Sequence, residues 1–151
     1  MPIFRNRVAV LHGVNFDVLE KRPAEIYGGL SLSQLEAKIS DWAHEFGLEP
    51  IFFQTNAEGE FCEYLHRSID LADSVIVNAG AWTHYSRAIA DALELTKLPA
   101  VEVHLSEVEA RDDWRKLSVF DGLVLAKISG KGPDGYREAL ELLARELDVN
   151  A

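Results

Sequence analysis

Short, β-branched apolar runs alternate with longer stretches of helical period along this chain, and that alternation constrains the fold more than any other feature. The runs at 8–11 (Val-Ala-Val-Leu), 50–53, 74–77, 100–103 and 123–125 are apolar almost without interruption. A strand buried on one face alternates apolar and polar residues; a continuous run implies cover on both faces, as in a parallel sheet. Between the runs, residues 31–46 place Leu32, Leu35, Ile39 and Trp42 at three- and four-residue spacing, with Ser31 or Ser33 available as the cap and Gly47 as the stop. Residues 58–71 repeat the pattern with Phe61, Leu65 and Ile69. Residues 84–96, 108–116 and 135–147 complete five expected helices. Strand and helix in turn imply an α/β three-layer sandwich around a five-stranded parallel sheet. With 151 residues and no internal repeat, low-complexity segment or linker, the chain reads as one domain, 1–151.

Composition narrows the function classes. Fifteen basic against 25 acidic residues give a formal charge of −10, which disfavours nucleic acid and anionic membrane as partners. One cysteine, Cys62, excludes an intrachain disulfide framework; placed inside a helical pattern, it reads as packing and not as a nucleophile. No apolar run approaches the ~20 residues of a membrane span, and residues 1–7 lack a signal-peptide core, so the cytoplasm is the expected compartment. The chain has no G-x-x-x-x-G-K-[ST], no G-x-G-x-x-G after a strand and no G-x-S-x-G elbow.

Open parallel sheets bind ligands at the carboxyl ends of their strands. The expected strands end in His12-Gly13-Val14-Asn15, Gln54-Thr55-Asn56, Asn78 to His84, Glu102-Val103-His104-Leu105-Ser106 and Ser129-Gly130, so imidazole and amide groups gather at one edge. Glu102 and His104, two apart on a strand, share a face with Cα atoms ~6.6 Å apart. The carboxylate can fix the tautomer of the imidazole, although an ordinary buried pair fits as well. His84 could add a third ligand for a metal, but no metal-type spacing supports one. Arg111 and Arg115, four apart, share a helix face; they read either as a solvated face with Glu107 pairing to Arg111 or as a clamp for an anion. The 13–30 connection is long for a βα loop and has the length of a lid. It holds Arg22 and Tyr27, and a guanidinium a few ångströms from a phenol would favour its ionised form and make it a base.

These residues resemble a known family. G-x-N-x-x-x-L at 13–19 with Arg22 and E-I-Y-G at 25–28, Q-T-N-A-E-G-E at 54–60, N-A-G-A-W-T-H at 78–84, V-E-V-H-L-S at 101–106, A-R-x-x-W-R at 110–115 and G-P-x-G-Y at 132–136 are similar, in order and spacing, to the motifs of the type II dehydroquinases. The match runs from about residue 8 to 147. The resemblance implies a flavodoxin-like fold and a lyase that dehydrates 3-dehydroquinate to 3-dehydroshikimate through an enolate, in shikimate biosynthesis or quinate catabolism. It implies Tyr27 as base with Arg22 favouring its ionised form, Asn15 holding the enolate through an ordered water, and His104 as general acid oriented by Glu102. Asn78, His84, Leu105 through its amide, Ser106, Arg115 and Arg111 would hold the substrate. It implies no metal or organic cofactor, and a homo-oligomer of trimers grouped into a dodecamer in which Asp91 reaches a neighbour's site.

The chain departs from the family pattern at Val14, Glu20, Pro23 and Ala24 in the loop, at Ala90 beside Asp91, and at Glu109 and Leu117. None of these positions carries an assigned chemical role. They leave a second reading, a divergent homologue that binds a related cyclic polyhydroxy carboxylate with weak or altered turnover. Fold analogy alone offers a third, a flavin- or nucleotide-binding module. On the first reading Arg22, His84, His104, Arg111 and Arg115 form a locally basic pocket inside an acidic shell.

Overall fold

The computed structural model describes residues 5–149, apart from the side chain of Glu109. The sequence expectations for residues 1–4 and for the Glu109 side chain lie outside the described residues. Five strands, β1 (Arg7–His12), β2 (Glu49–Gln54), β3 (Ser74–Asn78), β4 (Ala100–Val103) and β5 (Ala126–Ile128), form one sheet in the order β2-β1-β3-β4-β5. Every pairing is parallel. The helices are α1 (Ala24–Tyr27), α2 (Leu32–Glu45), α3 (Glu58–Leu71), α4 (Arg87–Thr96) and α5 (Asp134–Glu146).

The strand period divides the core in two. Val8 and Val10 of β1 join Leu35 and Ile39 of α2 and Leu140 and Leu143 of α5. Ala9 and Leu11 point the other way, to Phe61 and Leu65 of α3 and Ile89 and Leu93 of α4. Successive side chains of a strand face opposite sides, so an unbroken apolar run requires a helical layer on each. That requirement is met here: Val8, Val10 and Leu11 are fully buried.

Helix starts follow their caps. Ser31 Oγ accepts the Gln34 N–H at 3.2 Å, and Gln34 Oε1 accepts the Ser31 N–H at 2.9 Å, so Ser31, not Ser33, caps α2 in a reciprocal capping box. Ser86 Oγ accepts the Ile89 N–H at 3.2 Å and starts α4 at Arg87, three residues later than the periodicity predicts.

Two expected elements are corrected. The helix expected over 108–116 is two separate 3-10 turns, Val108–Ala110 and Asp113–Lys116. Arg111 (φ −99°, ψ −149°) and Asp112 (φ −61°, ψ 148°) are extended between them. Asp112 and Asp113 lie where the chain breaks, and aspartates favour caps over helix interiors. The last strand is displaced from 123–125 to Ala126–Ile128. A turn closes upstream through the Leu123 N–H on the Phe120 carbonyl (2.8 Å), with Gly122 at φ 85°. Pairing to β4 therefore begins only with the Leu125 N–H on the Ala100 carbonyl (2.8 Å), while Leu123 and Val124 pack against the second core cluster as loop.

The chain leaves β1 toward β2 on one side and leaves β3 toward β4 on the other, so its direction reverses between β1 and β3. The carboxyl ends of these two adjacent strands flank the crevice at which open α/β sheets bind ligands.

Candidate active site

At the end of β1, Gly13 crosses so close to β3 that a Cβ on it would lie 2.2 Å from the Ala79 carbonyl oxygen; its N–H donates to the Asn78 carbonyl at 2.8 Å. No residue with a side chain fits this crossing. Two residues on, Asn15 adopts φ 72°, a left-handed conformation that asparagine tolerates better than most residues. Its N–H donates to Asn56 Oδ1 at 2.8 Å, and Gln54 Nε2 donates to the Gly13 carbonyl at 3.1 Å. The loop after β2 thus holds the turn that carries Asn15.

The 13–30 connection is structured. The 3-10 turn Phe16–Lys21 buries Phe16 and Leu19 in the first core cluster, and α1 brings Tyr27 back over the sheet end. The Tyr27 hydroxyl accepts a hydrogen bond from Arg22 Nη2 and another, at 2.8 Å, from Arg111 Nη1. The two guanidinium carbons lie 4.3 and 5.4 Å from the ring centroid. Arg111 Nη1 also approaches Ser106 Oγ at 3.4 Å. Arg111 is therefore not paired with Glu107, whose carboxylate accepts from Ser129 Oγ at 3.0 Å.

His104 follows directly on β4 and continues its ladder through its N–H on the Ile128 carbonyl at 2.9 Å. Its Nε2–H donates to Glu102 Oε2 at 2.5 Å, and both side chains are almost wholly buried. Ser118 Oγ donates to the other carboxylate oxygen, Oε1, at 2.8 Å. The His84 ring stacks at 6.2 Å on that of His104 and meets the Trp114 edge at 5.2 Å; its Nδ1 lies 2.7 Å from the Leu117 carbonyl. A carbonyl only accepts, so the hydrogen is on Nδ1. Burial holds the His84 pKa below the usual histidine range; His104 and Arg115 push the same way, against the Leu117 carbonyl and Glu102. Asn78 donates from Nδ2 to the Tyr136 hydroxyl at 3.4 Å. Burial keeps the Tyr136 phenol well above its usual pKa, so it stays protonated.

One cavity brings together Asn15, Arg22, Tyr27, Asn78, His84, His104, Leu105, Ser106, Arg111 and Arg115. Glu102 lies behind His104. Asp91 does not line this cavity: it is exposed on α4, beside a surface groove with Glu94, Leu95 and Lys97. His12, first of the strand-end histidines, is fully buried in the core among Phe16, Phe52 and Tyr136, with Nε2 3.2 Å from Glu36 Oε2. Arg111 and Arg115 reach the same cavity without a shared helix. Burial raises the pKa of the Cys62 thiol, in keeping with a packing role. Among the described residues no three His, Cys, Asp or Glu side chains converge as metal ligands.

Sequence reasoning assigned no role to Gln54, Asn56, Ser118 or Tyr136. The first two stand where a strand-end rule points. Ser118 is brought in by loop packing, which leaves no local signal; Tyr136 ends the G-P-x-G-Y motif, but its bond to Asn78 follows from helix packing.

Three cationic guanidiniums, two imidazoles, one of them backed by a carboxylate, and a phenol held by two of those arginines suit an anionic, hydroxylated substrate and proton transfer at two points. The comparisons agree with this chemistry. The family model described as dehydroquinase class II matches residues 6–144. The chain is 47% identical to the 3-dehydroquinate dehydratase of Syntrophotalea carbinolica over 135 residues, 89% of this chain and 91% of that protein. It is 43% identical to the Thermotoga maritima 3-dehydroquinate dehydratase over 142 residues, 94% of this chain and 97% of that one. The crystal structure of type II dehydroquinase from Propionibacterium acnes superposes with a TM-score of 0.88 at 36% identity, covering 93% of this chain and 97% of that one. With the parallel sheet, the cavity at its switch point and matches of this length in agreement, the chain belongs to the class II dehydroquinase family.

Proposed function

We propose that the chain dehydrates 3-dehydroquinate to 3-dehydroshikimate, and that Tyr27 and His104 carry its two proton transfers. One observation carries this reading: the Tyr27 hydroxyl lies under two guanidiniums in the same cavity as the carboxylate-backed imidazole of His104. The Tyr27 oxygen, held by two guanidiniums, takes the proton beside the substrate ketone. The electrons left behind form an enolate, which Asn15 holds through an ordered water. As the enolate collapses, the carbon–oxygen bond breaks. The departing hydroxyl takes a proton from the His104 imidazolium and leaves as water. Nε2 of His104 is committed to Glu102, which leaves Nδ1 for that transfer. The proton gained by Tyr27 equals the one lost by His104, so solvent exchange closes the cycle.

Asn78, His84, Ser106, the Leu105 amide and Arg115 together hold the hydroxyls and carboxylate of the substrate, and Arg111 joins Tyr27 to Ser106. The 13–30 segment acts as a lid that assembles the base over bound substrate. Apart from Asp91, and with Glu102 behind His104, the assigned residues stand together in one cavity, which favours turnover over a binding-only homologue. The enzyme works as one domain in the cytoplasm, as a homo-oligomer of trimers grouped into a dodecamer. The exposure of Asp91 and of Leu95 (63%) on α4 supports a contact between copies there. Among the described residues no helix is long and apolar enough to cross a membrane.

The test is the rise in ultraviolet absorbance as the conjugated enone forms from 3-dehydroquinate. Tyr27→Phe is expected to lower kcat by ~10²–10⁴, the usual contribution of a positioned base, with substrate-analogue binding near wild type. Retained turnover removes Tyr27 as the base; no absorbance rise from the wild-type enzyme at saturating substrate removes the whole reading.

A further inference from the structure

The loop residues 117–119 reach both histidines of the cavity. The Leu117 carbonyl accepts the His84 Nδ1–H at 2.7 Å, and the Val119 N–H donates to the Thr83 carbonyl, one residue before His84, at 2.8 Å. Between them, Ser118 Oγ donates to Glu102 Oε1 at 2.8 Å while Glu102 Oε2 accepts from His104 at 2.5 Å. The Ser118 oxygen in turn accepts the Phe120 N–H at 3.1 Å, which leaves its own proton free to point at Glu102. Ser118 is 6% exposed and Glu102 fully buried.

A buried carboxylate is tolerated when both oxygens have donors. Glu102 has two, His104 on one oxygen and Ser118 on the other. The serine therefore fixes the rotation of the carboxylate, and with it the tautomer and angle of the His104 ring. It also draws off part of the carboxylate charge that would otherwise fall on the imidazole.

We propose that Ser118 is a positioning residue for the dehydration, the third member of a Ser118–Glu102–His104 relay that aims His104 at the departing hydroxyl. The inference rests on the reading of His104 as the general acid. Besides Glu102 on β4, the charged or titratable groups that share the cavity with His104 are His84, Tyr27 and Arg22, Arg111 and Arg115. None of them bonds Glu102, so removal of Ser118 acts on His104 through Glu102.

Ser118→Ala is expected to lower kcat about tenfold, a fraction of the ~10²–10⁴ contributed by a general acid, with KM changed less than about twofold. The limb of the pH–kcat profile that reports the acid moves to higher pH, because an undivided carboxylate charge favours the imidazolium. Ser118→Thr, which keeps the hydroxyl, restores most of the rate and the limb. A purely structural serine would lower Tm and leave the limb in place. An unmoved limb with wild-type kcat in Ser118→Ala overturns the proposal, as does a Ser118→Thr enzyme no better than the alanine one. Should Ser118→Ala not fold, Ser118→Cys, a weaker donor of similar shape, carries the same comparison of kcat and limb. His104→Ala separates the two readings. If it turns over at the wild-type rate, the acid assignment fails; if it is inactive while Ser118→Ala is unaffected, only the relay fails.

Discussion

At His84, burial outweighs the acceptors that favour the charged ring, and the sign of the consequence follows from linkage. Unfolded, the imidazole binds its proton near pH 6.5; folded, it binds it only at lower pH. Between those two pKa values the unfolded chain holds more protons, so stability rises with pH. The contribution is complete above about pH 6.5 and is lost as pH falls toward the folded pKa. His84→Gln keeps a donor for the Leu117 carbonyl and removes the titration. Its Tm is expected to fall less than that of the wild type between pH 7.5 and 5.5; equal falls in thermal melts would contradict the assignment. Gly13 marks the other limit at this scale. The sequence offers it only as a strand-end residue and the first position of G-x-N, whereas the fold requires the absence of a side chain because the Ala79 carbonyl occupies that space.

Among the elements, the helices with a clear 3.6-residue face were legible. α2, α3 and α5 begin and end within a residue or two of their periodic stretches, because their apolar stripes face a core that the strands' period already implies. The capping box of α2 shows how local that code is: Ser31 and Gln34 satisfy each other's backbone groups without tertiary help. Ser31→Ala is expected to cost about 1 kcal/mol, or ~2–4 °C in Tm, measured by thermal unfolding at constant pH. An unchanged Tm would mean that packing alone sets the start of α2. The 108–116 stretch departs from its helical pattern for a physical reason. Its helical spacing of Arg111 and Arg115 is real in sequence, but Arg111 is drawn to Tyr27 and Ser106, and Trp114 to His84, from two turns with an extended break between them. The end of the sheet was misplaced because an edge strand is defined by its partner, and β4 offers nothing to pair upstream of Ala100.

For the molecule as a whole, the charge of −10 and the cavity have opposite signs: Arg22, Arg111 and Arg115 converge within an acidic chain. A small carboxylate can therefore bind where a polyanion is repelled. The proposed assembly belongs to this scale. Light scattering after size exclusion is expected to give a mass of about twelve chains, the order of a closed assembly of trimers. A monomer at micromolar concentration would remove the role proposed for Asp91 in a neighbour's site. The sequence by itself determined the layers of the fold, the extents of α2, α3 and α5 and most of the residues around the cavity, because periodicity and motif spacing are local properties of the chain. Tertiary structure alone decided that Arg111 joins Arg22 on one phenol, that His12 turns into the core while His84 and His104 stack, and that Ser118 closes the contact behind Glu102. Those pairings join residues distant along the chain, and their partners are fixed only when the strands take their order and the loops pack.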